Sequence, residues 1–353
     1  MKQRLLALFL CVAVLLSLFA MTGCGESKPT LVVCNWGEYI SDGEDGYMDV
    51  IAEFEERFDV NVDYVIADTN ESLYSLMSSG SGNYDVVIPS DYMIEKMISE
   101  DMLAELNFEN IPNFEKNIME RFKNPDYDPE NKFSVPYFWG TVGIVYNETL
   151  YTEELTGWEN LWDENAKYDN QILMMDNPRD AFTIALFELG YSINTTDEAH
   201  WREAAELLKK KKFVYCMDQI FEKMPGESAA IGTYYAGDCL YMMAENEDLA
   251  FYRPAETNIF NDAMCVPKTS KNQELAEAFI NFMLEPDVGL ANTEYLGYST
   301  PNQAVFDQLE LDDETRAIAY PEISDKWEHM RKLPAEIETL MSELWVEVKA
   351  SNK

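Results

Sequence analysis

In this 353-residue chain, acids and aromatics gather where short apolar runs end. LVVCNWGEYI, Leu31 to Ile40, carries a β-favouring run into Trp36, Glu38 and Tyr39. YDVVIPSDY closes on Ser90, Asp91 and Tyr92, and QILMMDNPRD on Asp176, Asn177, Arg179 and Asp180. Tyr235 ends AAIGTYY, and Phe260 and Asp262 lie in NIFNDAMCVPK, Asn258 to Lys268. Any one of these is ordinary, since a Trp after a strand commonly fills core and an Asp there commonly caps a helix. As a set converging on one cleft, they are what an organic cation requires. A carboxylate–ammonium hydrogen bond contributes roughly 1.5 to 3 kcal/mol, and an aromatic face roughly 0.5 to 2 kcal/mol. Three of the first with two or three of the second reach the roughly 8 kcal/mol of a micromolar ligand after ordering costs.

Catalytic patterns are missing. The sequence holds no G-x-S-x-G, H-E-x-x-H, Walker or G-x-G-x-x-G motif. Its two histidines, His200 and His329, stand in acidic stretches that read as helical, without a nucleophile or metal-ligand partner, and are expected at the surface. Neither metal nor cofactor is expected. The rival class is a secreted glycosidase, because paired carboxylates beside Trp and Tyr also describe sugar-cleaving clefts. A binder of another solute, such as a sugar, an amino acid or ferric iron, would keep the architecture and change the pocket. Iron is disfavoured by the lack of a Tyr-Tyr pair beside a usable His, and anions by the scarcity of arginine near the strand ends, where Arg179 alone is found.

The elements that must position these residues alternate along the chain. LVVC, VNVDYVIA and YDVVIPS read as strands. YMDVIAEFEERF, with Tyr47, Ile51, Phe54 and Phe58 on one face, ESLYSLM and YMIEKMISEDML read as helices. Such alternation predicts a parallel sheet covered by helices. A Pro, Asn and Asp-rich stretch, Asn110 to Asn131, interrupts it and is the candidate crossing into a second lobe. A long extended run, Phe133 to Asn147, follows. The alternation then resumes with QILMMD, the helix RDAFTIALFELG, and the helix TTDEAHWREAAELLKKKK, where Thr195 and Glu198 have capping-box spacing. FVYCMD, AAIGTYYAG and NIFNDAMCVPK read as strands, ELAEAFINFML and AEIETLMSELWVEVKA as helices.

The first residues belong to targeting. Lys2 and Arg4 precede an apolar run from Leu5 to Met21, and MTGC ends it at Cys24. That order marks residues 1–23 as a signal peptide. It is similar to the bacterial lipoprotein signal, which would make Cys24 the lipidated first residue, followed by a tether to residue 30. Ordinary secretory cleavage nearby and a retained anchor are the alternatives. No second run of about 18 apolar residues occurs.

Losing Lys2 and Arg4 with the signal takes the formal net charge from −39 to −41. Nucleic acid is a poor partner for such a surface, whereas a cationic ligand is drawn in by it. Most of the 65 acidic residues need no role beyond solubility. Cys34, Cys216 and Cys265 sit in strand-like runs and read as buried small hydrophobes. With Cys239 they give no metal spacing, and a disulfide stays open in an exported protein.

NWGEY at 35–39, YDVVIPSDYMIEKM at 84–97, VPYFWGTVGIVYN at 135–147, LGYSINTTD at 189–197, INFMLEPDVG at 280–289 and LGYSTPN at 296–302 carry a resemblance. In order and spacing the chain resembles the spermidine/putrescine-binding proteins of bacterial ABC importers over nearly its whole mature length. The resemblance implies the two-lobed type II periplasmic-binding-protein fold, an α/β architecture in which each lobe is a mixed, mainly parallel sheet flanked by helices and the ligand cleft lies between them. Lobe 1 would be residues 31–137 and 263–310, and lobe 2 residues 138–262 and 311–353, with crossings near 137 and 262 as the hinge. It implies pocket roles for Trp36, Glu38, Tyr39, Ser90 and Tyr92. Asp180 matches an acid that binds an amine, and Asn177 stands where spermidine binders often have another acid. Tyr235 and Phe260 occupy positions that are commonly Trp. Asp262 matches a central carboxylate gripping a charged nitrogen, and Tyr298 an aromatic wall. Gly37 replaces a hydroxyl residue, and a polar residue of the last helix has no equivalent near Val346. The implied protein is a monomer that captures putrescine, spermidine or both and hands them to a membrane permease.

Overall fold

The computed structural model describes residues 28–352 apart from Glu38 and Ser81, so the signal segment, Cys24 and Glu38 lie outside the described residues. Nine strands form one continuous sheet: β1 (Thr30–Asn35), β2 (Asn61–Ile66), β3 (Val86–Val87), β4 (Ser134–Asn147), β5 (Ile172–Met175), β6 (Val214–Cys216), β7 (Ile231–Tyr235), β8 (Leu249–Tyr252) and β9 (Ile259–Cys265). Their order is β2-β1-β3-β9-β4-β7-β5-β6, with β8 on β4. β1 pairs in parallel with β2 and β3, and β5 in parallel with β6 and β7. Between these parallel blocks run β9 and β4, antiparallel to their neighbours.

β4 explains how two lobes share one sheet. Ser134 to Thr141 pair with β9, and Val142 to Tyr146 with β7. The register shifts between Pro136 and Phe138, as it must near a residue that has no N–H for a ladder. Apolar residues on the two sides feed separate cores. Leu31, Val33, Phe54, Trp139, Phe279 and Phe282 build the first, and Met174, Phe182, Trp201, Leu208 and Leu344 the second. A smaller cluster with Cys34, Val87, Met93 and Cys265 covers the other face of the first-lobe strands. Neighbours Val33 and Cys34 thus bury on opposite faces, as a sheet covered on both sides requires.

Several expectations are corrected. The stretch Asn110–Asn131 is no crossing: Ile111, Phe114, Ile118 and Phe122 in it bury in the first core. Phe138, Trp139, Ile259 and Phe260, next to the crossings expected near 137 and 262, bury in the first core. The helix read from Tyr47 spans Val50–Phe58 and is capped by Asp49, whose side chain accepts from Ala52 N. Of its expected face Phe54 is buried, while Tyr47 and Phe58 are exposed. Asp197, not Thr195, caps the helix Glu198–Lys209. His329 lies outside any helix. β8 and the helices Ala236–Glu245 and Pro286–Leu296 went unread. The last helix, Ala335–Ser351, packs on Pro178–Glu188 and Glu198–Lys209 in the second lobe. The four described cysteines are buried free thiols.

Candidate functional site

A cavity of about 790 Å³ opens between the lobes. All ten described residues expected in a pocket line it: Trp36, Tyr39, Ser90, Tyr92, Asn177, Asp180, Tyr235, Phe260, Asp262 and Tyr298. The strand ends explain why. β1 stops at Asn35, whose buried amide donates to Tyr39 O at 3.3 Å and holds the turn that carries Trp36 and Tyr39. The Tyr137 hydroxyl grips the same carbonyl at 2.8 Å. Past β3, Ser90 bridges to Asp262 on β9 and is fixed by Asn70, which donates to Ser90 Oγ and accepts from Ser90 N, both at 3.0 Å. Asn177 caps the helix after β5 by accepting from Arg179 N, and Pro178 occupies the first turn, where no N–H partner is needed. Asp180 thereby sits at the positive end of that helix.

Two carboxylates dominate the cavity. Asp262 is 5% exposed; its Oδ2 accepts from the Tyr39 hydroxyl at 2.8 Å and its Oδ1 has no partner. Asp180 is 7% exposed and accepts from the Tyr235 hydroxyl at 3.2 Å. Burial pushes each up to about 7. For Asp262 the Ser90 and Tyr39 hydroxyls pull the other way; for Asp180 the Glu71 carboxylate adds to the rise, against Tyr235 and Arg179. Neither is in a salt bridge with a described side chain. Arg179, the cation nearest in sequence, points into the second lobe: its guanidinium donates to Ile193 O at 2.9 Å and to Asn194 Oδ1 at 3.1 Å.

Aromatic rings wall the space between the acids. Tyr39 meets Tyr298 edge-on at 5.0 Å, and Tyr235 meets Phe260 at 5.4 Å. Gly237 is what lets Tyr298 approach, because a Cβ there would stand 2.6 Å from the ring. The Tyr298 hydroxyl donates to Asp238 at 2.7 Å, joining the lobes above the cavity.

Further residues line the cavity that the sequence reading left out, among them Asp68, Asn70, Asp218, Asp238 and Asn258. Asp218 and Asp238 follow β6 and β7 closely, so reading past those strand ends would have found them. Asp91 was noted beside Ser90 but given no role; it is buried and lines the cavity. His329 is no free surface residue, since its Nδ1 lies 2.9 Å from Asp91 Oδ2. Val346 is 69% exposed and lies away from the cavity. Among the described residues no group of three His, Cys, Asp or Glu could hold a metal ion.

The arrangement can hold an elongated cation, with carboxylates for its charged nitrogens and rings for its methylenes. Comparisons agree with that chemistry. Residues 81–326 match the family described as bacterial extracellular solute-binding protein, and residues 1–131 match a hypothetical lipoprotein (MG045) family. A spermidine/putrescine-binding periplasmic protein of Salmonella typhimurium is 33% identical over 286 residues, 79% of each chain. The crystal structure of a spermidine/putrescine ABC transporter substrate-binding protein from Streptococcus pneumoniae aligns over 92% of this chain and 100% of its own, at 37% identity and TM-score 0.75. A putative spermidine/putrescine ABC transporter structure from Listeria monocytogenes aligns over 91% and 98%, at 34% identity and TM-score 0.84. The architecture is the type II periplasmic-binding fold.

Proposed function

The chain belongs to the bacterial extracellular solute-binding proteins, and from that premise we propose that it captures putrescine, spermidine or both outside the cytoplasm and delivers them to an ABC permease. One observation carries the reading: two deeply buried carboxylates, Asp180 and Asp262, face one aromatic-walled cavity, and neither is in a salt bridge with a described side chain. An ammonium at each removes the burial penalty that raises both acids. In this reading Tyr39, Tyr235, Phe260 and Tyr298 cover the methylenes, Trp36, Ser90, Tyr92 and Asn177 complete the walls, and Glu38 supplies a further acid. Binding draws the lobes together and presents the closed form to the permease.

The protein acts as a carrier and not as an enzyme, works as a monomer, and is held at the outer face of a bacterial membrane by lipid on Cys24. The lipoprotein match over residues 1–131 supports that anchor, as does the signal ending in MTGC. The test is thermal. Putrescine or spermidine at about 100 times its dissociation constant stabilises the fold by about 2.7 kcal/mol, whereas maltose and glutamate leave the melting temperature unchanged. Stabilisation by maltose alone would move the reading to the sugar alternative.

A further inference from the structure

β4 and β9 are not the last places where the chain passes between the two cores. Tyr320 and Trp327 pack against the first core, and Met330 and Leu333 bury in the second, so the stretch 327–330 is a further crossing. Hydrogen bonds fasten its backbone. Ile259 N donates to Glu328 O at 3.1 Å, and the Asn194 side chain donates to His329 O and accepts from Arg331 N, both at 2.8 Å. From this strap, contacts reach back to the first-lobe helix Asp91–Ser99. His329 Nδ1 lies 2.9 Å from Asp91 Oδ2, the Lys332 backbone N–H donates to the Glu95 carboxylate at 2.8 Å, and Lys332 Nζ donates to Ser99 Oγ at 2.7 Å. In the first turn of the last helix, Glu338 accepts from Lys96 Nζ at 2.9 Å. Arg331 pairs with Asp126, in the stretch whose apolar residues fill the first core.

The tie at His329 reaches the wall of the cavity itself. Asp91 lines the cavity, is 1% exposed, and also accepts from Tyr92 N at 2.8 Å and from Asn261 N at 3.4 Å, next in the chain to Asp262. Its neighbour Ser90 bridges to Asp262. His329, Lys96 and Glu338 lie outside the cavity lining. Resting on the carrier reading, we infer that the strap 328–338 is a latch between the lobes and that His329 is a positioning residue: without touching the ligand, its bond to Asp91 holds the lobes in the arrangement that brings Asp180 and Asp262 to one cavity. Asp180 stands on the helix after β5 and Asp262 on β9, so their separation follows from how the lobes sit. Ties made in this arrangement and lost on opening raise the share of chains ready to bind, and apparent affinity rises with that share.

The test pairs His329→Ala, which removes the tie, with His329→Asn, whose amide keeps a donor where Nδ1 stood. Lys96→Glu, alone and together with Glu338→Lys, probes the strap away from the cavity. Putrescine and spermidine are titrated calorimetrically into each variant and the parent, and the radius of gyration of the ligand-free chains is read by X-ray scattering. The expected result is a loss of about threefold to tenfold for both polyamines in His329→Ala, with most of it recovered in His329→Asn. Lys96→Glu should lose about twofold to fivefold, restored when Glu338→Lys reverses the pair, and ligand-free His329→Ala should have a larger radius than the parent. Affinities within about twofold of the parent for both His329→Ala and Lys96→Glu overturn the inference. So does a His329→Asn chain as weak as His329→Ala, or a reversed pair as weak as Lys96→Glu, because the bonds are then not what acts. If the parent binds neither polyamine, the ligand reading has failed, and the ligand-free radius alone decides on the latch: a His329→Ala chain no larger than the parent overturns it.

Discussion

Replacing Asp262 by Asn should weaken polyamine binding and stabilise the ligand-free fold at the same time. Asparagine keeps an oxygen for the Tyr39 hydroxyl, which reaches Asp262 at 2.8 Å, so the pocket's shape is preserved. What is lost is the charge. Removing one partner of a buried, hydrogen-bonded ion pair costs roughly 2 to 5 kcal/mol, a fall in affinity of about 30-fold to several thousand-fold. The stability effect has the opposite sign. The folded-state value of about 7 lies above the ordinary 3.8, so the native carboxyl keeps a proton that the unfolded chain releases. That contribution is fully present below about pH 3.8 and is lost as pH rises through about 7. By pH 8 the buried charge costs the ligand-free protein about 4 kcal/mol. Asparagine removes this, less roughly 1 to 3 kcal/mol for an amide that finds incomplete partners. The assay is a pair of measurements at pH 8: calorimetric titration, and urea unfolding without ligand. A variant that binds within threefold of the parent, or that is less stable than the parent at pH 8 without ligand, refutes the reasoning.

Polyamine binding should release protons near neutral pH, because the ligand converts Asp180 and Asp262, both at about 7, to carboxylates. Titrations in two buffers of different ionisation enthalpy measure the number, and affinity should fall about tenfold per pH unit for each acid below about pH 6. Tyr298→Ala should weaken binding by roughly 0.5 to 2 kcal/mol through loss of its ring face, as read by the same calorimetry. Gly237→Ala should also weaken binding, since its Cβ would displace Tyr298 from 2.6 Å away; a crystal structure of the variant would show the shifted ring. Cys24→Ser should release the protein from the membrane fraction into the medium or periplasm, as detergent-phase partitioning would show.

The strand ends were the legible part. A β-run followed by an aromatic and an acid is a local pattern, and in open sheets such ends gather at one cleft; Trp36, Ser90 and Asp180, which follow β1, β3 and β5, could therefore be placed at the cavity without knowing how the strands pair, whereas Asp262 lies within β9. The order of the strands was not local. β9 enters between β3 and β4, and nothing in NIFNDAMC distinguishes an antiparallel crossing strand from a parallel one. The loop Asn110–Asn131 misled because its turn residues outnumber the few apolar ones that decide its packing. Asp238 escaped because its strand was credited with Tyr235 alone. What sequence cannot carry is the placement of one lobe on the other, which brings these strand ends to one cavity.

The central claim is that the cleft binds a polyamine. Calorimetric titration of the chain begun at Lys28, refolded to strip bound ligand, tests it most directly. Dissociation constants in the micromolar range or tighter are predicted for putrescine, spermidine or both. Absence of heat from either up to about millimolar concentration would contradict the account while leaving the fold intact.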